Sequence, residues 1–201
     1  MSTEKRIDMG LAIIEFEGRF DNKGNLLVYK LPAGDGGGAY EVAGINERYH
    51  PTKAKQLKDL IESGQYDKAL RQAAEYIEAY TAGVRKFFPS EQEADANPSI
   101  EFMLRDCAFN RGPGGAAAIL QIALGVNVDA IIGVKTKEAF ARNLAEHGSM
   151  NVLRRLTAAR EKYERNSYPW KTGKRDESSK FWKGLSNRWT KVHNVALNRF
   201  A

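Results

Sequence analysis

Met9-Gly-Leu-Ala-Ile-Ile-Glu-Phe-Glu17-Gly18 carries an apolar stripe and then stops on a glycine. Met9, Ala12, Ile13 and Phe16 recur at spacings of three and four, which predicts a helix with that face buried. Gly18 is expected to end it in the left-handed conformation that glycine adopts without steric cost. Glu17 then falls at the negative end of the helix dipole and beside apolar side chains, and both disfavour its charged form. A carboxyl group kept protonated near neutral pH can act as a general acid. Glu17 also reads as a plain surface glutamate at a helix end, and this stretch alone does not choose.

Beyond Gly18 the pattern changes. Phe20 to Asn25 is turn chemistry, Leu26 to Lys30 reads as a short strand, and Pro32 to Gly38 is a glycine-dense loop. Ala39 to Ile45 reads as a returning strand, so a β-hairpin lobe is expected. Asp35 in the loop is either a turn former or a second acid facing Glu17. The glycines form no phosphate loop, since no Gly-Lys-Ser/Thr follows them. From Pro51 onward apolar stripes at helical spacing dominate. Tyr66 to Tyr80 predicts one long helix, whose Tyr76 and Tyr80 either join Phe87 along a cleft or belong to the core. Ile100 to Ala108 and Ala116 to Leu124 predict two helices separated by Phe109-Asn-Arg-Gly-Pro-Gly-Gly115. Thr136 and Asn151 are read as caps of two more helices. A last helix places Phe181, Trp182, Leu185, Trp189, Val192 and Ala196 inward. The expected fold is mainly α, a helical body with a small β-hairpin lobe.

The chain has 201 residues, of which 42% are hydrophobic and 28% charged, ordinary values for a globular protein. No apolar run reaches the length of a membrane span, so stable membrane insertion is not expected. The first residues make a poor signal peptide. Cys107 is the single cysteine, which excludes an internal disulfide, and its helical surroundings read as core. His50, His147 and His193 show no ligand spacing, and neither a metal nor a cofactor is expected. The formal charge is +6, and residues 151 to 201 hold 13 basic against 4 acidic residues. Such a cationic tail suits a polyanion, but no recognition helix, aromatic RNA platform or zinc finger accompanies it, which argues against nucleic acid.

The order of helix, terminal glutamate, glycine loop and helical body resembles the lysozyme superfamily. Within it, Phe16-Glu17-Gly18-Arg19-Phe20, Asp35-Gly36-Gly37-Gly38 and Ala43-Gly44-Ile45-Asn46 resemble successive motifs of glycoside hydrolase family 108, the bacterial and phage N-acetylmuramidases. The second half resembles the predicted peptidoglycan-binding region of that family. It does so through Asp106-Cys-Ala-Phe109-Asn110-Arg-Gly112, Gln121 with Asp129-Ala-Ile-Ile-Gly133, and Phe181-Trp-Lys-Gly184-Leu-Ser-Asn187-Arg188-Trp189. Arg19 replaces a family glycine, the proline after Asp35 is missing, and the loop before Gly44 is longer. The family's loop threonine has no clear counterpart.

The resemblance implies a lysozyme-like catalytic region over 1–98 and a peptidoglycan-binding region over 99–201, packed into one globule. It makes Glu17 the catalytic acid that protonates the bridging oxygen between N-acetylmuramic acid and N-acetylglucosamine. Asp35 is the first choice for the second carboxylate and Glu41 the next, with Asp21 and Glu15 further behind. Tyr40, Asn46, Tyr49 and His50 are the candidate sugar contacts. The implied partner is the peptidoglycan glycan strand, met by a monomer made without a leader and delivered to the periplasm or cell wall by a holin or a secretion system. An exported effector would also have an immunity or inhibitor protein. A lytic transglycosylase using the same glutamate, or a non-catalytic wall-binding relative, would share these motifs.

Overall fold

The structure, a computed structural model, describes residues 1–32, 37–167, 173, 178 and 180–201, with backbone alone at 180 and 181. The chain opens with helix α1 (Thr3–Glu17), continues through three short strands, β1 (Val28–Lys30), β2 (Tyr40–Val42) and β3 (Ile45–Asn46), and then forms α2 (Pro51–Glu62), which packs on β2 and β3, and α3 (Tyr66–Thr81). A 3-10 turn (Ala82–Phe87) then leads to α4 (Glu91–Ala96), α5 (Pro98–Leu124), α6 (Val134–Arg165) and α7 (Lys180–Phe200). The mainly α fold with a minor β lobe is therefore as the pattern predicts. The chain divides into two compact units, Met1–Tyr80 and Thr81–Ala201.

In the first unit, α1 starts six residues before Met9, because the Ser2 hydroxyl caps it by accepting from the Lys5 backbone N–H at 3.3 Å. Ile7, Met9, Ala12, Ile13 and Ile14 are buried, whereas Phe16, expected inward, is half-buried. Gly10 is buried as well, since a Cβ there would collide with the Ala74 carbonyl oxygen of α3. The two helices meet backbone to backbone, and α3 answers with Ala69, Ala73 and Ala74 on its buried face. Arg71 closes the edge of this contact with a two-pronged pair to Glu4 at 2.8 and 2.9 Å.

The β lobe is a three-stranded antiparallel meander, one strand more than the expected hairpin. Ala43 and Gly44 both hold positive φ, 54° and 75°, and form a two-residue turn that folds Ile45-Asn46 back on β2. Val28 pairs with Val42, Tyr29 with Glu41 and Lys30 with Tyr40. Glu41 pairs in turn with Asn46. Val42 and Ile45 are fully buried.

The second unit is built on α5, against which α6 and α7 pack. Its glycine-rich middle breaks the helix at Gly112 (φ 71°, ψ 170°), where the sequence predicts an interruption. As expected, α6 is two helices in sequence, which meet at a break at Gly148 (φ 74°, ψ 165°), but the first is not capped by Thr136. Gly133 occupies its cap position, and the Thr136 hydroxyl instead accepts from Gln121 Nε2 at 3.4 Å. Gln121 also takes the backbone N–H groups of Asp129 and Ala130 at 3.1 and 2.8 Å, tying down the loop before α6. Trp189, Val192 and Ala196 of α7 are buried as their spacing predicts.

Two carboxylates of α5 lie wholly inside this unit. Glu101 accepts from Arg105 at 2.8 Å and from Arg85 at 2.7 Å. Asp106 forms ion pairs with Arg160 of α6 and Arg188 of α7, each at 2.6 Å. Burial works against the Asp106 charge, but the Arg188 and Arg160 guanidiniums outweigh it and hold the carboxyl below its ordinary range. Among the described residues no helix is long and apolar enough to cross a membrane.

Candidate active site

Glu17 is the last residue of α1 and is half-buried. Gly18 does not take the left-handed conformation expected of it: its backbone is extended, φ −72° and ψ 155°. Its N–H donates to the Ile14 carbonyl at 2.7 Å. A Cβ at this position would lie 2.9 Å from both the Ile14 oxygen and the Phe20 ring. Glycine is needed here for close approach, not for handedness, and the chain turns directly from helix into an extended run.

That run attaches the end of α1 to the sheet. The Arg19 carbonyl accepts from the Leu27 N–H at 2.8 Å, and Phe20 bridges Leu26. Between them Asp21 builds the turn. Its Oδ1 accepts from the backbone N–H groups of Lys23 and Asn25, both at 2.8 Å, and its Oδ2 accepts from Asn25 Nδ2 at 2.9 Å. Hydrogen bonds from Asn25 hold the Asp21 carboxyl below its usual range. A carboxylate committed in this way organises a loop.

Strand register sorts the other candidates. Tyr29, Glu41 and Asn46 are successive partners across the sheet and share one face. Tyr40 points to the other face with Val42, where Lys58 of α2 places its ammonium 4.9 Å from the ring centre. The register therefore joins Glu41 to Asn46 and separates both from Tyr40. Arg19 lays its guanidinium 5.2 Å over the Tyr29 ring, on the face that carries Glu41.

Asn46 is a structural hub. Its Oδ1 accepts from the Arg48 N–H at 2.8 Å and its Nδ2 donates to the Gly37 carbonyl at 3.2 Å. Gly37 and Gly38 have φ of 81° and 98°. A Cβ on Gly37 would overlap the Arg48 guanidinium, and one on Gly38 would lie 2.6 Å from Asn46 Oδ1. Both glycines are thus fixed by handedness and by crowding. Asp35, two residues earlier, lies outside the described residues.

From Asn46 the chain runs into Tyr49 and His50, whose N–H groups donate to the Asn46 carbonyl at 3.2 and 2.9 Å. Tyr49 is largely exposed, with Arg48 5.8 Å from its ring centre. His50 is held by the Tyr76 hydroxyl, 2.8 Å from Nδ1, and stands edge-on to the rings of Tyr76 and Tyr80. Burial pushes His50 below its ordinary value and so favours the neutral ring.

This arrangement of helices and lobe has a solved counterpart. Brucella abortus SagA superposes with a TM-score of 0.61 at 18% sequence identity, over 98% of this chain and 95% of that one. At that identity the likeness shows the fold. No family model and no curated protein sequence matches the chain.

Sequence reasoning missed Tyr29 and Arg48. Neither sits in a motif, and each gains its place only when strands pair or the glycine loop closes. Tyr76 and Tyr80 were legible as a pair at helical spacing, yet spacing could not say which side of α3 they would occupy. Among the described residues no group of three or more histidine, cysteine, aspartate and glutamate side chains could hold a metal ion.

Proposed function

We propose that this protein is a peptidoglycan N-acetylmuramidase with Glu17 as its general acid. The observation that carries the reading is the setting of Glu17. It ends a helix with one buried face, half-shielded from solvent, where the main chain turns at once into the run that pairs with Leu26 and Leu27 ahead of β1, the strand whose neighbour carries Glu41. The ordered motifs in the sequence point the same way.

In this reading Glu17 donates its proton to the bridging oxygen between N-acetylmuramic acid and N-acetylglucosamine. The C–O bond breaks as positive charge develops at the anomeric carbon. Water attacks that carbon, and a carboxylate either removes its proton or first takes the sugar covalently. Glu41 and Asp35 are the two candidates for this second role. The basic C-terminal region attaches the enzyme to phosphate- and carboxylate-rich wall in the periplasm, an attachment that high salt weakens.

A second reading is supported by the capture of Asp21 in its turn, which leaves fewer carboxylates for hydrolysis. A lytic transglycosylase needs one acid, and the 6-hydroxyl of the sugar replaces water. The experiment separating these incubates purified peptidoglycan with the wild type and with Glu17→Gln, then identifies released muropeptides by mass. Reducing N-acetylmuramic acid ends are expected from the wild type, with release falling at least about 100-fold in the variant. 1,6-Anhydro ends would establish lyase chemistry, and equal release by both proteins would remove Glu17 from the mechanism.

A further inference from the structure

Inside the C-terminal unit, α6 and α7 leave a cavity of about 390 Å³ between them. Arg154, Thr157 and Glu161 line it from α6, and Ser186, Thr190 and His193 from α7. A cavity of this size can hold a small organic ligand. Its hydroxyl protons are already committed to the main chain. Thr157 Oγ1 donates to the Leu153 carbonyl at 3.1 Å, Ser186 Oγ to the Lys183 carbonyl at 3.2 Å, and Thr190 Oγ1 to the Ser186 carbonyl at 3.2 Å. A hydroxyl has one proton to give, so these three oxygens are left as acceptors.

That commitment fixes the tautomer of His193. Thr157 Oγ1 lies 2.9 Å from His193 Nδ1, and with its own proton directed to Leu153 it accepts there. The proton of the neutral ring is therefore on Nδ1, which leaves Nε2 as a bare acceptor. Among the described residues Nε2 has no partner. Charge is matched just as unevenly. Glu161 is paired with Arg165 at 2.7 Å, whereas Arg154 makes no ion pair among the described residues. Arg188 of α7 is closed in its pair with Asp106 of α5. Burial, and then Arg154, hold the His193 ring below its ordinary value.

We propose that this cavity binds a phosphate monoester, whose charged oxygens accept from Arg154 and whose acid proton is shared with His193 Nε2. A guanidinium meets two phosphate oxygens with parallel N–H donors. The second ionisation of a phosphate monoester falls near pH 6, close to that of an imidazole, so one proton can bridge the two groups. A carboxylate loses its proton near pH 4, and a phosphate diester has no second proton to offer. Either would demand a protonated ring, which burial and Arg154 oppose. A polyol as the esterified alcohol would supply O–H donors to Ser186 and Thr190. The site shares no residue with the muramidase reading and does not depend on it.

The test is calorimetry on the full chain with glycerol 3-phosphate, against dimethyl phosphate and acetate at equal ionic strength. Glycerol 3-phosphate is expected to bind with uptake of about one proton at pH 7, seen by comparing buffers of different ionisation heat, and to weaken about tenfold between pH 7 and 8. Dimethyl phosphate and acetate should each bind about tenfold more weakly, or worse. Arg154 is exposed, and Arg154→Gln should weaken glycerol 3-phosphate binding by about tenfold or more. His193→Ala should weaken it too and remove the dependence on pH. The imidazole nitrogen shifts of the free protein should show His193 protonated at Nδ1.

Equal affinity for dimethyl phosphate, an affinity independent of pH, undiminished binding in Arg154→Gln, or no binding by the wild type overturns the site. So does a His193 ring protonated at Nε2 in the free protein. Should His193→Ala fail to fold, Arg154→Gln and the tautomer decide.

Discussion

The two units treat their carboxylates in opposite ways. In the C-terminal unit Glu101 and Asp106 are 0% exposed, and each is gripped by two guanidiniums that come mostly from other elements. In the N-terminal unit Glu17 and Glu41 remain half-buried at a helix end and on a sheet face. A carboxylate closed inside a helical bundle joins helices together and has no route to a substrate. Glu17 at the helix end and Glu41 on the middle strand of the small sheet each keep part of their surface in contact with solvent. The difference teaches that burial and pairing, more than residue type, decide what an acid does for this fold. In the proposed muramidase reading it leaves the chemistry to the N-terminal unit.

The largest effect should come from breaking the buried cluster. Asp106→Ala strips Arg160 and Arg188 of their shared anion, and removing one partner of a buried pair costs about 3–5 kcal/mol. Chemical denaturation followed by tryptophan fluorescence measures it, with Trp182 and Trp189 both on α7. A loss below about 1 kcal/mol would return Asp106 to the rank of a surface pair and erase the contrast.

Gly10→Ala asks whether the N-terminal unit also contains a point that tolerates no change. The added methyl meets the Ala74 carbonyl, so α1 and α3 must separate, and overpacking of this kind costs about 1–3 kcal/mol. Amide exchange along α1 and α3 should rise. An unchanged exchange pattern would show that the helices slide apart freely.

Acid provides the mildest test. Burial holds His50 below its ordinary value, so the folded state binds fewer protons than the unfolded one. The resulting stability is complete above the unfolded value of about 6.5 and fades as pH falls through the lower folded value. Asp106 obeys the same sign in a different window: its contribution is complete above about 3.9 and disappears further into acid. Hydrogen exchange between pH 7 and 4 should therefore loosen the N-terminal unit first. Replacing His50 with glutamine should flatten the first step and leave the second. Simultaneous loosening of both units would contradict the division of roles.

Much of the architecture was legible because it depends on near neighbours. The apolar stripe of α1, the break at Gly112 and the buried face of α7 follow from spacing and from glycine, which act within a turn or two of helix. Glu17 was legible as a helix-terminal acid for the same reason. The third strand escaped because it hangs on Ala43 adopting a positive φ, which an alanine does not advertise. Gly18 was placed correctly as the stop and wrongly in conformation. What governs it is the distance to Ile14 and Phe20, and only the folded path of the chain sets that distance.

By itself the sequence determined where helices begin to be possible, where they must break, and which acid would stand at the end of the first one. Those outcomes rest on backbone conformation and on periodicity, and both are local. The tertiary structure alone decided which carboxylates became buried anions and which faces of the sheet its candidates share. Asp106 meets partners 54 and 82 positions away, and Glu41 meets Asn46 only once a two-residue turn has set the register. Such pairings draw their energy from desolvation and packing, which exist only after distant segments have come together.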